Sequence, residues 1–257
     1  MTKKFLKYLV IAIIWLGLWQ IIAMAIGKEL LFPSPISVAK RLFELSLTGE
    51  FYKIILHSLL RILAGMIIGT LVGVLCGSLT AFSKTARAFF SPALAVIKAT
   101  PVASFIILIV LYISRDLAPL IIALMMVTPI VWTGVEAGIL NTDPQLIEMA
   151  KAYKMGSWAK LRHIFIPSIA PYFLTALRSS LGMAWKAGIA AEVLLEPFIS
   201  IGKMIADAKS YLETTDLFAW TVVVVVLSVL IEKIMLLLLK KALKNRSFDM
   251  IGGANFG

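Results

Sequence analysis

Residues 62–83 read ILAGMIIGTLVGVLCGSLTAFS and contain no acidic or basic residue. A membrane-spanning helix needs about 20 mostly apolar residues, so this stretch is long enough to cross a bilayer. Glycine recurs at every fourth position within it, at Gly65, Gly69, Gly73 and Gly77. This spacing of small residues lets two helices approach closely in lipid. The stretch therefore predicts a tightly packed transmembrane helix.

The composition of the whole chain agrees with a membrane protein. Its 257 residues are 60% apolar and 15% charged, with a mean hydropathy of +0.96. So high an apolar content excludes a disordered chain. A soluble domain of this size cannot bury so much apolar surface, so the composition also argues against a soluble enzyme. The single cysteine, Cys76, excludes an intramolecular disulfide and a thiolate metal cluster.

The apolar runs predict one all-α membrane domain, residues 1–257, with six spans. The first run follows three lysines and so also resembles a signal peptide, but it is longer than the about 7–15 apolar residues of such a peptide. We therefore interpret it as a span. The predicted bounds are about 6–27, 59–83, 88–113, 117–139, 164–195 and 217–239.

The loop charges predict that both termini are cytoplasmic. This orientation places thirteen basic residues inside and seven outside, which is the asymmetry expected of cytoplasmic loops. The net charge of +11 thus sets the topology and is not evidence for nucleic-acid binding. The inside residues are Lys3, Lys4, Lys7, Lys84, Arg87, Lys151, Lys154, Lys160, Arg162, Lys240, Lys241, Lys244 and Arg246. The outside residues are Lys28, Lys40, Arg41, Lys53, Arg115, Lys203 and Lys209.

Short helices are predicted in two of the loops. In the first outer loop, two prolines indicate an extended turn, after which Ser37 caps a helix over Val38–Leu47 that lies on the membrane interface. Between the fourth and fifth spans, Thr142 or Asp143 caps a helix over Gln145–Met155. Gly156 then ends that helix, and Ser157 caps a second one. A mere connector could be much shorter, so we interpret this inner loop as a docking element.

The same inner loop resembles the cytoplasmic motif E-A-A-x3-G-x9-I-x-L-P of binding-protein-dependent ABC importer permeases. Four positions match, at Glu148, Ala150, Ile164 and Pro167. Three positions depart from the motif, with Met149 for Ala, Lys154 for Gly and Ile166 for Leu, and Gly156 follows Lys154 by two residues.

Three further stretches resemble the nitrate, sulfonate and taurine branch of that family, so that the resemblance covers nearly the whole chain. That branch also includes permeases for thiamine-precursor pyrimidines and other small solutes. The stretches are LFPSP at 31–35, SLLR at 58–61 and WKAGIAAEV at 185–193.

The resemblance implies a type I ABC importer in the bacterial cytoplasmic membrane. A permease dimer, expected to be a homodimer, would rest on two ATPase subunits that hold ATP and Mg, and a binding protein would deliver solute at the outer face. The loop 140–163 would couple the permease to the ATPase, with Glu148 and the turn near Gly156 in contact. Since no G-x-x-x-x-G-K-[ST] occurs in the chain, we expect it to have neither a cofactor nor ATPase activity of its own.

Ionisable residues within the spans are candidates for the translocation path, because charges in lipid usually face a cavity or a partner. Glu232 and Lys233, near the inner end of the sixth span, are expected to reach the membrane interface. Five others are the candidates, three cations and two anions, and a surplus of cations would favour an anionic solute such as a sulfonate, nitrate or carboxylate. The alternative is that these charges pair with one another or reach an interface. Glu136 is one of the five charges but is not assigned to the path. The residues predicted to line the path are Lys98, Thr100, Pro101, Arg178, Lys186 and Glu192.

Two other classes of protein fit the sequence less well. An ion-coupled secondary transporter would need inverted repeats or a coupling-ion site, and the sequence displays neither. An intramembrane enzyme is disfavoured because no H-E-x-x-H or G-x-S-x-G motif occurs. The two histidines, His57 and His163, are predicted to lie on opposite sides of the membrane.

Overall fold

The computed structural model describes residues 2–244, which form eleven α-helices and one π-helical stretch and contain no strand. Arg246 lies outside these residues, as do the side chains of Lys3, Lys4, Lys240, Lys241 and Lys244. The α-helices are α1 (Thr2–Ile26), α2 (Pro35–Ser46), α3 (Gly49–Phe82), α4 (Lys84–Ala99), α5 (Val102–Val110), α6 (Ala118–Leu140), α7 (Pro144–Ala152), α8 (Ser157–Lys160), α9 (Ile166–Leu195), α10 (Ile201–Ser210) and α11 (Thr214–Lys244). The π-helical stretch, Leu161–Phe165, joins α8 to α9.

Among residues 2–244, five helical stretches are long and apolar enough to cross a membrane, and α4 with α5 makes a sixth if the pair counts as one bent span. The predicted all-helical membrane fold is therefore confirmed. The stretches are Leu9–Ile26, Gly49–Phe82, Ala118–Leu140, Ser157–Leu195 and Thr214–Met235.

The third predicted span, 88–113, is not one helix. Its chain bends by 101° between α4 and α5, at Thr100 and Pro101, whose ψ angles of 128° and 137° are extended. Pro101 has no N–H to donate, and the residue before a proline is disfavoured in the helical region, so the helix ends there. The backbone N–H and the hydroxyl of Thr100 both donate to the carbonyl of Val96.

Pro129, in contrast, lies within the unbroken helix α6. The hydroxyl of the preceding Thr128 donates to the carbonyl of Leu124, at 2.8 Å. Local hydroxyl bonds of this kind make a proline tolerable inside a membrane helix.

The chain divides into two compact units. The first comprises Met1–Leu60 and Ile189–Val226, and the second comprises Arg61–Gly188 and Leu227–Gly257.

In the first unit, aromatic rings pack where α1, the loop after it and α11 meet. Trp19, Phe32 and Phe218 have ring centroids 5.4 to 6.5 Å apart, and the indole N–H of Trp19 donates to the carbonyl of Pro33.

The helix α2 begins earlier than predicted. Ser34, not Ser37, is its N-cap, and the hydroxyl of Ser34 accepts the N–H of Ser37. Pro35 occupies the first helical position, where a missing N–H costs nothing and the fixed φ already suits a helix. Ser37 instead donates its hydroxyl to Glu29.

A two-pronged ion pair holds α2 to the start of α11. The Arg41 guanidinium donates to both carboxylate oxygens of Asp216, at 2.6 and 2.8 Å. Hydrogen bonding to Asp216 raises the pKa of Arg41 above its ordinary value. The pair fixes the orientation of α2 in this unit.

In the second unit, the glycine stripe of α3 packs against α6. A Cβ at Gly69, Gly73 or Gly77 would lie 2.6 to 2.9 Å from the α6 carbonyls of Leu124, Thr128 and Trp132, respectively. The buried α6 residues beside these glycines include Val127, Val131 and Val135. The close helix contact that the spacing predicts is therefore confirmed.

Candidate functional site

Residues 141–165, which connect α6 to α9 and are called the interspan segment below, have well-defined helix ends. Asp143 caps α7 by accepting the N–H of Gln145 at 2.8 Å, and Pro144 is the first helical residue. At the other end, the N–H of Met155 donates to the carbonyl of Ala150, and the N–H of Lys154 donates to the carbonyl of Lys151. These two bonds make a Schellman motif.

The turn between the two short helices lies at Lys154 and not at Gly156. Lys154 has a φ of +50°, the left-handed conformation that the motif requires after the end of α7. Gly156 instead is the N-cap of α8, and Ser157 is its first residue. The predicted roles of Gly156 and Ser157 are therefore wrong. Lys154 stands at the position where the family motif usually has glycine, and it is the residue of this turn with a positive φ, a conformation that glycine adopts readily.

The interspan segment exposes large apolar side chains. Met149, Tyr153 and Trp158 are 44%, 79% and 72% exposed, whereas Ala150 and Ile164 are buried. Exposed apolar groups in a segment that connects two spans mark an interaction surface, since nothing in the unit covers them.

Charged side chains surround these apolar groups. Glu148, Lys151, Lys154 and Arg162 are all exposed. Within the part of the chain that the structure describes, no ion pair involves the interspan segment. These charges are therefore available to a partner. Pro167, the last residue of the sequence motif, lies in the first turn of α9 and is half-buried.

Glu192, a predicted path residue, is fully buried in the first unit. Its Oε2 accepts the hydroxyl of Ser58 at 2.7 Å and the N–H of Gly202 at 3.3 Å. The Ser58 oxygen in turn accepts the N–H of Ile201. A Cβ at Gly202 would collide with the backbone of Glu192. The carboxylate thus ties the N-terminus of α10 to α3 and α9, where its charge also suits the helix dipole.

Arg178 lies on α9, and its Nε is 3.5 Å from the Glu232 carboxylate of α11. Both side chains are about half exposed. Glu232 is not one of the five candidate charges, so this ion pair is not the pairing among those five that the sequence leaves open.

Lys98 and Lys186 are exposed, and neither forms a salt bridge within residues 2–244. Lys98 stands in the last turn of α4, directly before the bend at Thr100 and Pro101. Lys186 lies on α9. Of the predicted path residues, Lys98, Thr100 and Pro101 lie close together because they are near neighbours in the sequence.

A polar cluster that the sequence reasoning did not assemble lies in the second unit. The Arg87 Nε is 2.7 Å from Oε1 of Glu136 and also donates to the carbonyl of Thr80 at 3.2 Å. The indole N–H of Trp132 donates to the Thr80 hydroxyl at 2.9 Å. The sequence analysis treats Arg87 only as a cytoplasmic loop charge. The signal for this ion pair is a cation in the first turn after one span together with a glutamate inside another span.

A groove of about 550 Å³ lies between α6 and α9 in the second unit. Of its lining residues, Gly134 packs closely on α9, since a Cβ there would lie 2.5 Å from the Ala176 Cβ. The hydroxyls of Tyr172 and Ser179 make no hydrogen bond to any other described residue, so they can bind a polar guest. The lining residues are Ile130, Thr133, Gly134, Pro171, Tyr172, Thr175, Ala176 and Ser179.

Comparison with known proteins gives consistent matches. The profile of the family described as binding-protein-dependent transport system inner membrane component matches residues 69–247. The putative aliphatic sulfonates transport permease protein SsuC of Bacillus subtilis is 28% identical over 94% of this chain and 88% of its own length. The nitrate import permease protein NrtB of Synechococcus elongatus is 29% identical over 80% of this chain and 77% of its own. The taurine transport system permease protein TauC of Escherichia coli is 24% identical over 83% and 80%, respectively.

A solved structure has a similar fold. The crystal structure of an amino acid ABC transporter with histidines superimposes with a TM-score of 0.63 at 20% identity. The match covers 78% of this chain and 97% of that one.

Proposed function

Because the chain belongs to the family of binding-protein-dependent transport system inner membrane components, we propose that it forms the translocation path of an ATP-driven importer for a small anionic solute. The interspan segment carries the proposal. It presents exposed apolar and charged side chains on a helical loop between two spans, at the place where the family motif lies. The chain itself has no phosphate-binding loop, so a partner must hydrolyse ATP.

Each residue of the motif has a role in this proposal. Glu148 and the exposed Met149, Tyr153 and Trp158 contact the ATPase. The sharp turn that presents them is made by Lys154, and Gly156 starts the next helix. Three less exposed residues anchor the segment on the membrane domain: Ala150, Ile164 and Pro167.

The solute class is inferred from charge. Lys98 and Lys186 are exposed cations on predicted spans, and cations there attract anions. The relatives are named for aliphatic sulfonates, nitrate and taurine. We assign Lys98, Thr100, Pro101, Arg178 and Lys186 to the path, with the α6–α9 groove as part of it. Glu192 we assign to holding α10 and not to the solute.

The proposed assembly contains two copies of this chain, two ATPase subunits that bind ATP and Mg, and a solute-binding protein at the outer face. The chain lies in a bacterial cytoplasmic membrane with both termini inside. The positive-inside asymmetry supports this orientation, and closed two-fold assemblies are the commonest kind.

Purification of the solubilised chain from its own membranes tests the assembly. Mass spectrometry should find an ATPase subunit at about one per permease, as expected for a closed two-fold complex. The complex is then reconstituted with its binding protein and offered methanesulfonate, taurine, nitrate and bicarbonate in turn. ATP-dependent uptake of at least one anion is expected. A chain that purifies alone and moves solute down an ion gradient would contradict the proposal.

A further inference from the structure

We propose that Arg87 and Glu136 are positioning residues that make α4 follow the interspan segment, so that ATP-driven movement at the inner side reaches Lys98 and the bend after it. This inference rests on the proposed function. Its structural basis lies wholly within the second unit.

The first step is the position of Glu136. It lies one helical turn before α6 ends at Leu140, and the interspan segment begins with the next residue. A second contact joins the other end of the segment to α3, since the rings of Phe82 and Phe165 pack edge to face at 5.4 Å. A displacement of the segment therefore acts directly on the inner ends of α3 and α6.

The second step is the attachment of α4. None of its residues is buried, so apolar packing holds it weakly. The ion pair from Arg87 to Glu136 is 2.7 Å long, and the glutamate is only 17% exposed. Arg87 also binds the last turn of α3 through the carbonyl of Thr80. Phe90 adds an edge-to-face contact with Trp132 at 5.9 Å. All these links lie in the first two turns of α4.

The third step is the geometry of α4 as a lever. Arg87 and Lys98 are eleven residues apart on one helix, which is about 16 Å along its axis. The helix α4 is continuous from Lys84 to Ala99, with Pro92 inside it, so a rotation at one end reaches the other. That end carries the exposed cation Lys98 and the 101° bend. The pair at Arg87 thus connects the coupling side to a residue assigned to the path.

A neutralising substitution tests the inference in the reconstituted complex. Arg87→Gln and Glu136→Gln should still assemble with the ATPase and hydrolyse ATP, but the anion imported per ATP should fall about fivefold or more, the usual size of coupling between sites. Lys84→Gln is the matched control. It removes the same charge from the same turn of α4, and Lys84 is exposed and forms no ion pair among residues 2–244.

A charge swap separates positioning from mere stability. Arg87→Glu combined with Glu136→Arg should recover most of the transport per ATP, whereas a stabilising role alone would lower assembly, hydrolysis and uptake in parallel. If the swapped protein does not assemble, the two glutamine variants decide the question. Wild-type transport per ATP in Arg87→Gln would overturn the inference, and so would a swapped protein that assembles yet stays uncoupled.

The four solutes named above serve as probes. If the wild-type complex imports none of them, the proposed function fails and this inference fails with it. If the wild type imports one of them and Arg87→Gln imports it equally well per ATP, only the inference fails.

Discussion

A lysine at position 154 adopts a backbone conformation that is usually left to glycine. Its φ of +50° closes the Schellman motif at the end of α7. A side chain in the left-handed region costs about 1 kcal/mol or more, because the Cβ approaches the carbonyl oxygen. Lys154→Gly should therefore stabilise the segment by about 0.5–1 kcal/mol after the greater freedom of glycine in the unfolded chain is counted.

Thermal unfolding of the purified permease in detergent measures this change. Lys151→Gly is the control, since Lys151 lies inside α7 and glycine there should lower the unfolding temperature. A lower unfolding temperature for Lys154→Gly would contradict this prediction. It would mean that the lysine side chain stabilises the fold by more than its backbone strain destabilises it.

The residue Glu192 illustrates what the sequence could and could not predict. Its charge within an apolar run identified it as special, but its partner Ser58 lies 134 positions earlier. No local pattern connects two such positions, because only the folded chain brings them together. The same holds for Arg87 and Glu136, whereas the cap at Asp143 was predictable since it depends on adjacent residues.

Removal of the Glu192 carboxylate should be costly. Glu192→Ala leaves the Ser58 hydroxyl and the Gly202 N–H without their acceptor, and a lost hydrogen bond to a charged group costs about 1.5–3 kcal/mol. Glu192→Gln keeps one acceptor oxygen and should lose less. Thermal unfolding in detergent should rank the proteins as wild type, Gln, Ala, and the exposed Glu196→Gln should match the wild type. Equal unfolding temperatures for Ala and wild type would refute this role.

At the scale of elements, the glycine stripe of α3 predicted a close helix contact but not its partner. The spacing indicates only that small residues share one face of α3, and any other helix could pack against that face. The size of the bend at Pro101 could not be predicted from the sequence for a related reason. Proline predicts a kink, but the size of the bend depends on how the halves pack, and α5 packs on α6.

Substitution within the stripe should prevent folding. A Cβ at Gly73 would lie 2.8 Å from the Val131 Cβ and 2.9 Å from the Thr128 carbonyl oxygen, and backbone atoms cannot move aside cheaply. Gly73→Leu should therefore greatly reduce the folded protein recovered from membranes, measured by fluorescence-detected size exclusion. Gly182→Leu is the control, because a Cβ at Gly182 meets nothing within 4 Å. A monodisperse Gly73→Leu protein in normal amount would contradict the packing described.

At the scale of the whole molecule, the proposed transport requires a partner that hydrolyses ATP. Glu148→Ala should abolish uptake and the transport-stimulated ATPase activity while the chain still inserts into the membrane, because Glu148 is exposed on α7, the helix proposed to contact the ATPase. Glu50→Ala, at the exposed start of α3, is the matched control and should transport normally. Uptake that survives Glu148→Ala would remove this residue from the coupling contact.

The bent pair of α4 and α5 also bears on how the chain enters the membrane during synthesis. A nine-residue helix is about 14 Å long, less than half the hydrocarbon thickness, and α4 alone is only about 24 Å. Neither half can be released from the translocon into lipid on its own, so the pair should await α6, against which both pack. In ribosome-stalled chains that expose α5 but not α6, α4 and α5 should still crosslink to the translocon, and in chains that also expose α6 they should crosslink to lipid. Integration of this protein is thus expected to proceed in cooperative groups of helices and not one span at a time.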